Sequence, residues 1–345
     1  MKVIKPYHEH MSKYGLTPYQ FIEKIGRTCY KSEDKITEDS AVKFVQGLVK
    51  RKHLAMIEHY WVHLKYTGSV EDLKKGFEMF AECDSSFRES TDILRYAYIT
   101  KSYDTFLSAP LRVFFDMVSS MYNYDLVAKP INPVVDEMLS CIGNYFPEIF
   151  PQCFSYRNTI HFRIMQEEEF CTELFSQMEG MPDSIINEEL MKHTTHTVLF
   201  VCDRGVSHEL VRHRPCSFAQ ESTRYCNYSQ NKFGEEITVI LPFFFDTGMG
   251  TNSNSLVYEA WKYSCEVAER KYFELLNYGA TPQEARSVLP NSLKTEIIMT
   301  ANEKEWQHIV DLRAKDVTGP AHPQMKEIMY PWYEELKEMT GGRIK

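Results

Sequence analysis

No run in this 345-residue chain approaches the ~18 consecutive apolar residues of a membrane-spanning helix, so an integral helical membrane protein is excluded. The opening Met1-Lys2-Val3-Ile4-Lys5-Pro6 lacks the apolar core of a secretory signal, and a cytoplasmic protein is expected. Nine cysteines contain no Cys-x-x-Cys pair, and an odd number without an export signal reads as reduced thiols rather than a disulfide framework. Basic residues (39) are outnumbered by acidic ones (48), giving a net charge of −9, which speaks against a general nucleic-acid binder. Neither Gly-x-Gly-x-x-Gly after a strand nor Gly-x-x-x-x-Gly-Lys occurs, so phosphates would fall to arginines and helix ends. Among 12 histidines, His59/His63 and His193/His196 are closely spaced, but no cysteine or carboxylate at ligand-like spacing completes a tetrahedral site. They read as structural histidines, and no metal is expected.

What is present is an ordinary folded composition, 43% hydrophobic and 25% charged, sufficient for one large domain or two. In an acidic chain, the concentration of Arg212, Arg214 and Arg224 stands out, because like charges repel unless an anion sits among them. The planar guanidinium suits phosphate or carboxylate. Cys216 and Cys226 flank this stretch without a Cys-His signature, so a thiol nucleophile is not favoured. Thr281-Pro282-Gln283-Glu284 carries a cap, a first-turn proline and a glutamate three residues after the cap, which predicts a helix ended by Pro290. Thr295 to Ala301 is apolar and β-branched enough for a strand. Asn302-Glu303-Lys304-Glu305 then predicts a second helix start, placing Trp306, Val310 and Arg313 on one stripe. An arginine on such a stripe needs an anion or acceptors, since an unpaired buried charge is too costly. A salt bridge to a core carboxylate, snorkelling to the surface and a ligand anion all meet that need.

Arg212-His213-Arg214, then seven residues, then Ser222 and Arg224-Tyr225, resembles the signature of the flavin-dependent thymidylate synthases, the ThyX family. The resemblance extends to Gly26 through His59, where His53 to His59 is similar to a His-x-Ser/Thr-x-x-Glu-His turn. It extends also to Ala285-Arg286 through Pro290 and to the spaced Asn302, His308 and Arg313. Ala55 stands where the family usually carries a hydroxyl touching the flavin phosphate, and Ala219-Gln220 replaces the commoner Asn-Glu pair.

The resemblance implies an α+β fold, a mixed or antiparallel sheet flanked by helices. It implies reductive methylation of dUMP with FAD as cofactor, and NADPH and methylenetetrahydrofolate as co-substrates. It places Arg313 and Ser222 in catalytic roles and assigns Glu209, Arg212, Gln220, Glu221, Ser222, Arg224, Arg286 and Arg313 to dUMP. His53, Ala55, Arg212, His213, Arg214, Gln220, Asn302, Lys304 and His308 fall to FAD. A homotetramer with shared active sites follows from the same likeness. A paralogue acting on UMP or transferring a hydroxymethyl group, and a non-catalytic member, are the alternatives. Because the segment leading to Arg212 follows Tyr66 only after a long interval, residues 1–66 and 196–345 form the expected catalytic domain. Residues 67–195 form an insertion, expected as a separately packed, mainly helical lobe of unassigned role. Glu71 to Phe80, Leu111 to Met121 and Val134 to Ile142 have helical spacing there. Glu167-Glu168-Glu169 reads as a solvated charge run, and Arg95 or Arg112 as an approach to the site.

Overall fold

A computed structural model describes residues 1–83, 97–123, 132–150, 159–224, 226–229, 234–245 and 252–345. Tyr225 and Arg95, named above, lie outside the described residues. The strands are β1 (Lys2–Ile4), β2 (Tyr7–His10), β3 (Trp61–Tyr66), β4 (Tyr98–Lys101), β5 (Thr105–Pro110), β6 (Phe162–Met165), β7 (Thr195–Asp203), β8 (Ser217–Gln220), β9 (Thr238–Ile240) and β10 (Lys294–Asn302). The helices are α1 (Pro18–Tyr30), α2 (Ser40–Lys50), α3 (Val70–Cys83), α4 (Leu111–Asn123), α5 (Pro133–Tyr145), α6 (Glu167–Gln177), α7 (Asp183–His193), α8 (Arg204–Leu210), α9 (Asn252–Asn277), α10 (Pro282–Ala285), α11 (Glu303–Arg313) and α12 (Pro323–Met339). The α+β expectation holds, as do the helix starts at Thr281 and Asn302 and the strand through Thr295 to Ala301.

An antiparallel sheet of order β2-β7-β10-β8 carries the site. Its central pair, β7 and β10, is covered on both sides, so both strands read as nearly continuous apolar runs. On one face α8, α11 and α12 bury Leu210, Trp306, Val310 and Trp332 against Phe200 and Met299. On the other, α1 lays Phe21, Ile25 and Cys29 over Ala219 and Ile298. That contact gives Ala219 a packing role: β8 alternates, and this position faces the α1 layer. The helix α1 begins with a capping box between Thr17 and Gln20.

A second antiparallel sheet, β4-β5-β3-β6, joins Trp61–Tyr66 to strands from residues 98–165. The stretch 67–195 is rich in helix, but a separately packed lobe is not what forms. Ile22, Val45, Leu48 and Ile57, from before residue 66, share one core with Leu73, Phe114, Met138 and Phe146. The strand β3 lies between β5 and β6, so its hydrogen bonds can be satisfied only by that later stretch. The charge run at Glu167 is likewise not wholly solvated. Glu167 turns inward, where its Oε2 accepts from Lys13 Nζ at 2.7 Å and Thr195 Oγ1 at 2.7 Å and lies 3.2 Å from His63 Nε2.

Candidate functional site

The sheet strand β7 ends in Asp203, whose carboxylate caps α8 by accepting from the Val206 N–H at 2.8 Å. This short helix points Glu209 toward α11, and the turn after it buries His213 between exposed Arg212 and Arg214. From α11, Arg313 reaches across: its Nη1 donates to Glu209 Oε2 at 2.8 Å and its Nε donates to His213 Nε2 at 3.2 Å. The arginine stripe predicted from Trp306 and Val310 is therefore real, and the carboxylate that answers it is Glu209. Burial, with the Arg313 and His308 charges nearby, drives the His213 pKa down to about 4, so the ring is neutral. Since Nε2 accepts from a guanidinium, Nδ1 must carry the ring hydrogen. Burial, reinforced by Arg313, thus sets the charge of His213, and the Arg313 hydrogen bond sets its tautomer.

A second group forms around Ser222. Arg286 Nη1 donates to Thr223 Oγ1 at 3.2 Å, and Arg224 Nε donates to Gln283 Oε1 at 3.1 Å. These contacts bring both guanidiniums to one exposed loop pair, with Ser222 between it and the end of α1, where its N–H meets the Cys29 carbonyl at 3.4 Å. The loop is anchored from below. Glu221 is 2% exposed and accepts from Lys294 Nζ at 2.9 Å; Lys294 also bonds Glu296, which is bonded in turn by Lys31.

Several residues predicted to touch ligand are committed elsewhere. Glu221 belongs to the buried ion chain just described. The Gln220 side-chain amide donates to Ser207 Oγ at 3.0 Å and Thr295 Oγ1 at 3.1 Å, which spends both hydrogens inside the protein. Asn302 caps α11 by accepting from the Glu305 N–H at 2.9 Å and donates to the Lys192 carbonyl at 2.9 Å. Lys304 is exposed and lies 3.9 Å from Glu188 of α7. His53 is exposed, with Nδ1 2.9 Å from the Tyr30 hydroxyl, and Ala55 is half-buried on the same turn. Cys216 and Cys226 are buried, and burial holds the Cys216 thiol well above its usual range, which fits no nucleophile.

Glu58, Glu305 and Lys294 have no site role in the sequence analysis, although Glu58 lies in the His53 to His59 turn and Glu305 in the Asn302 capping pattern. A period-two signal was available for Lys294 and Glu296, two charges alternating within an otherwise apolar strand. Glu305 stands three residues before His308, and His213, Glu305 and His308 bring ligand atoms within 4.8 Å of one another. Metal-like spacing is not sufficient here. Arg313 already donates to His213 Nε2, so a cation would have to displace that hydrogen bond or bind a protonated nitrogen beside a fixed positive charge.

Residues 166–340, just over half of the chain, match the family model "Thymidylate synthase complementing protein". The match begins before residue 196 and leaves residues 1–66 uncovered. A protein from Pyrococcus furiosus described as a flavin-dependent thymidylate synthase is 30% identical over 158 residues, 46% of this chain and 60% of that one. One of the same description from Corynebacterium aurimucosum is 31% identical over 164 residues, 45% of this chain and 62% of that one. The chain thus spans less than two thirds of these curated relatives. Among solved structures, the UMP/dUMP methylase PolB from Streptomyces cacaoi, bound with 5-Br dUMP, aligns over 50% of this chain and 77% of that one. Its TM-score is 0.38 at 22% identity.

Proposed function

The chain belongs to the thymidylate synthase complementing protein family, and from that premise we propose that it is a flavin-dependent enzyme that methylates dUMP to dTMP. The observation that carries the reading is the Arg313–Glu209–His213 contact set, because it holds a guanidinium in a fixed direction before any ligand arrives. Methylation at C5 needs negative charge to build on an electron-poor pyrimidine. A preoriented cation at the ring edge stabilises that charge without reorganising during the reaction. Glu209 restrains the guanidinium while offsetting part of its charge, and neutral His213 accepts from it without adding a competing charge.

Arg224 and Arg286, with Ser222, suit the nucleotide phosphate, since both guanidiniums stand on one exposed loop pair. For FAD the fit narrows to His53, Arg212, His213, Arg214, Lys304 and His308, because both Gln220 amide hydrogens are taken within the protein and Asn302 is buried as the cap of α11. Of these, exposed Arg212, Arg214 and Lys304 are cationic donors that suit a diphosphate. When bound, the flavin supplies the reducing equivalents that complete the methyl group. NADPH as reductant, methylenetetrahydrofolate as carbon donor, a cytoplasmic location and a homotetramer with shared sites complete the proposal. For the last, exposed Leu256, Val257 and Tyr263 on α9 are in keeping. No helix of the described residues is long and apolar enough to cross a membrane.

The test is direct. The purified protein is expected to be yellow or to take up added FAD, and to release tritium from C5-labelled dUMP in preference to UMP. Absence of both flavin uptake and tritium release overturns the assignment.

A further inference from the structure

We propose that Arg112, contributed by the stretch 67–195, is a positioning residue that anchors the Glu58 carboxylate at the edge of the candidate site. The proposal rests on the functional reading above and adds a part that the signature motifs do not contain. The strand β5 ends at Pro110 opposite Trp61, and the Leu111 N–H donates to the Tyr60 carbonyl at 2.7 Å. The helix α4 therefore starts directly against the turn that holds Glu58. Arg112 Nη1 donates to Glu58 Oε2 at 2.8 Å, and its Nε donates to Asp116 Oδ2 at 3.3 Å.

Glu58 is tied to the site from its other end. Its carbonyl accepts from Ser217 Oγ at 3.0 Å, and Ser217 follows Cys216 at the end of the His213 turn. Burial foremost, then the Glu305 and Glu58 carboxylates, pushes the Cys216 thiol up. Glu305 stands in the same group as His213 and His308. The groups facing Glu58 are thus Arg112 and Asp116 from α4, with Cys216 and Ser217 at the start of β8, and Glu305 of α11 acts on the same Cys216 thiol. Among these described groups, Arg112 carries the positive charge.

One guanidinium consequently serves two carboxyls. Burial raises both the Glu58 and the Asp116 pKa, and Arg112 opposes the rise in each. A surface ion pair of purely structural kind would contribute little and leave the chemistry alone. This pair differs because Glu58 is only 24% exposed and its backbone carbonyl is held by Ser217, next to the Cys216 end of the His213 turn. Without Arg112, Glu58 takes up a proton nearer neutral pH and no longer holds one orientation against the His213 turn.

The experiment uses the full chain with Arg112→Gln, Arg112→Lys, Glu58→Gln and the double variant Glu58→Gln/Arg112→Gln. Turnover and KM for dUMP are followed by tritium release across pH, with FAD uptake measured in parallel. Arg112→Gln is expected to move the acid limb of turnover up by about one pH unit or more, the usual effect of losing a close opposite charge. Its KM should change less than its kcat, and Arg112→Lys should recover most of the profile. The double variant, with no Glu58 carboxyl left to titrate, should lose the shift. An active wild type whose Arg112→Gln profile is unmoved overturns the positioning role and leaves the functional reading intact, as does a shift that persists in the double variant. Carbon-13 titration of the Glu58 carboxyl reads the same displacement without turnover. A titration unmoved by Arg112→Gln overturns the proposal even in a protein that takes no flavin.

Discussion

Replacing Lys294 with Met isolates what the buried ion chain contributes. Lys294 Nζ stands 2.9 Å from Glu221 Oε2 and also bonds Glu296, while Lys31 holds Glu296 from its far side. After the substitution Glu296 keeps Lys31. Glu221, its side chain 1% exposed, keeps among the described residues the Tyr228 hydroxyl at 3.5 Å. Breaking a buried pair from one side typically costs about 3–5 kcal/mol. Protonation caps that cost: neutralising a carboxyl of ordinary pKa ~4.3 at pH 7 requires about 3.7 kcal/mol, and at pH 5 only about 1 kcal/mol. Lys294→Met should therefore lose about 3–4 kcal/mol at pH 7 and about 1 kcal/mol at pH 5, relative to wild type at the same pH. Urea unfolding at both values measures this, and Glu221→Gln/Lys294→Met should recover most of the loss at pH 7. A penalty below about 1 kcal/mol at pH 7, or one equal at the two pH values, refutes the reasoning.

Two further outcomes follow from the same geometry. Arg313→Lys keeps a charge for Glu209 but loses the fork that also reaches His213, so turnover should fall by more than dUMP affinity; near-normal turnover would show that Arg313 is structural only. Burial lowers the His59 and His193 pKa values to about 3 and that of His213 to about 4. The unfolded rings bind protons below about 6.5 while the folded rings do not, so stability is full above 6.5 and falls as pH drops toward 4, by roughly 2 kcal/mol per ring at pH 5. A urea midpoint unchanged between pH 7 and pH 5 would contradict this.

Local signals carried most of what was legible in the sequence. The capping pattern at Asn302 set the start of α11, and its 3.6-residue period put Arg313 on a buried stripe with a need for an acceptor. That the acceptor is Glu209, 104 residues away in sequence, depends on β7 and β10 pairing, which no local pattern states. Gln220 and Asn302 read as ligand contacts because their residue types can donate, and only the fold shows the Gln220 hydrogens already taken and Asn302 buried as the cap of α11. The stretch 67–195 was misjudged for a related reason. Its helices were visible by spacing, whereas the short strands β4 and β6 have little periodicity of their own and gain identity only by pairing around β3.

The placement of β3 also sets an order of events during synthesis. All strands of its sheet lie between residues 61 and 165, and the core beneath draws on Ile22 to Phe162, so this half has its partners once that length of chain has emerged. The other sheet cannot close until β10 at residues 294–302 arrives to join β7 to β8; β2 can pair once β7 at residues 195–203 has emerged, but β8 must wait for β10. Arg313 comes later still. A ribosome-bound chain would thus present a packed first half while β7, with β2 on one side, keeps its β10 edge open, and that interval is where aggregation would start and a chaperone would act.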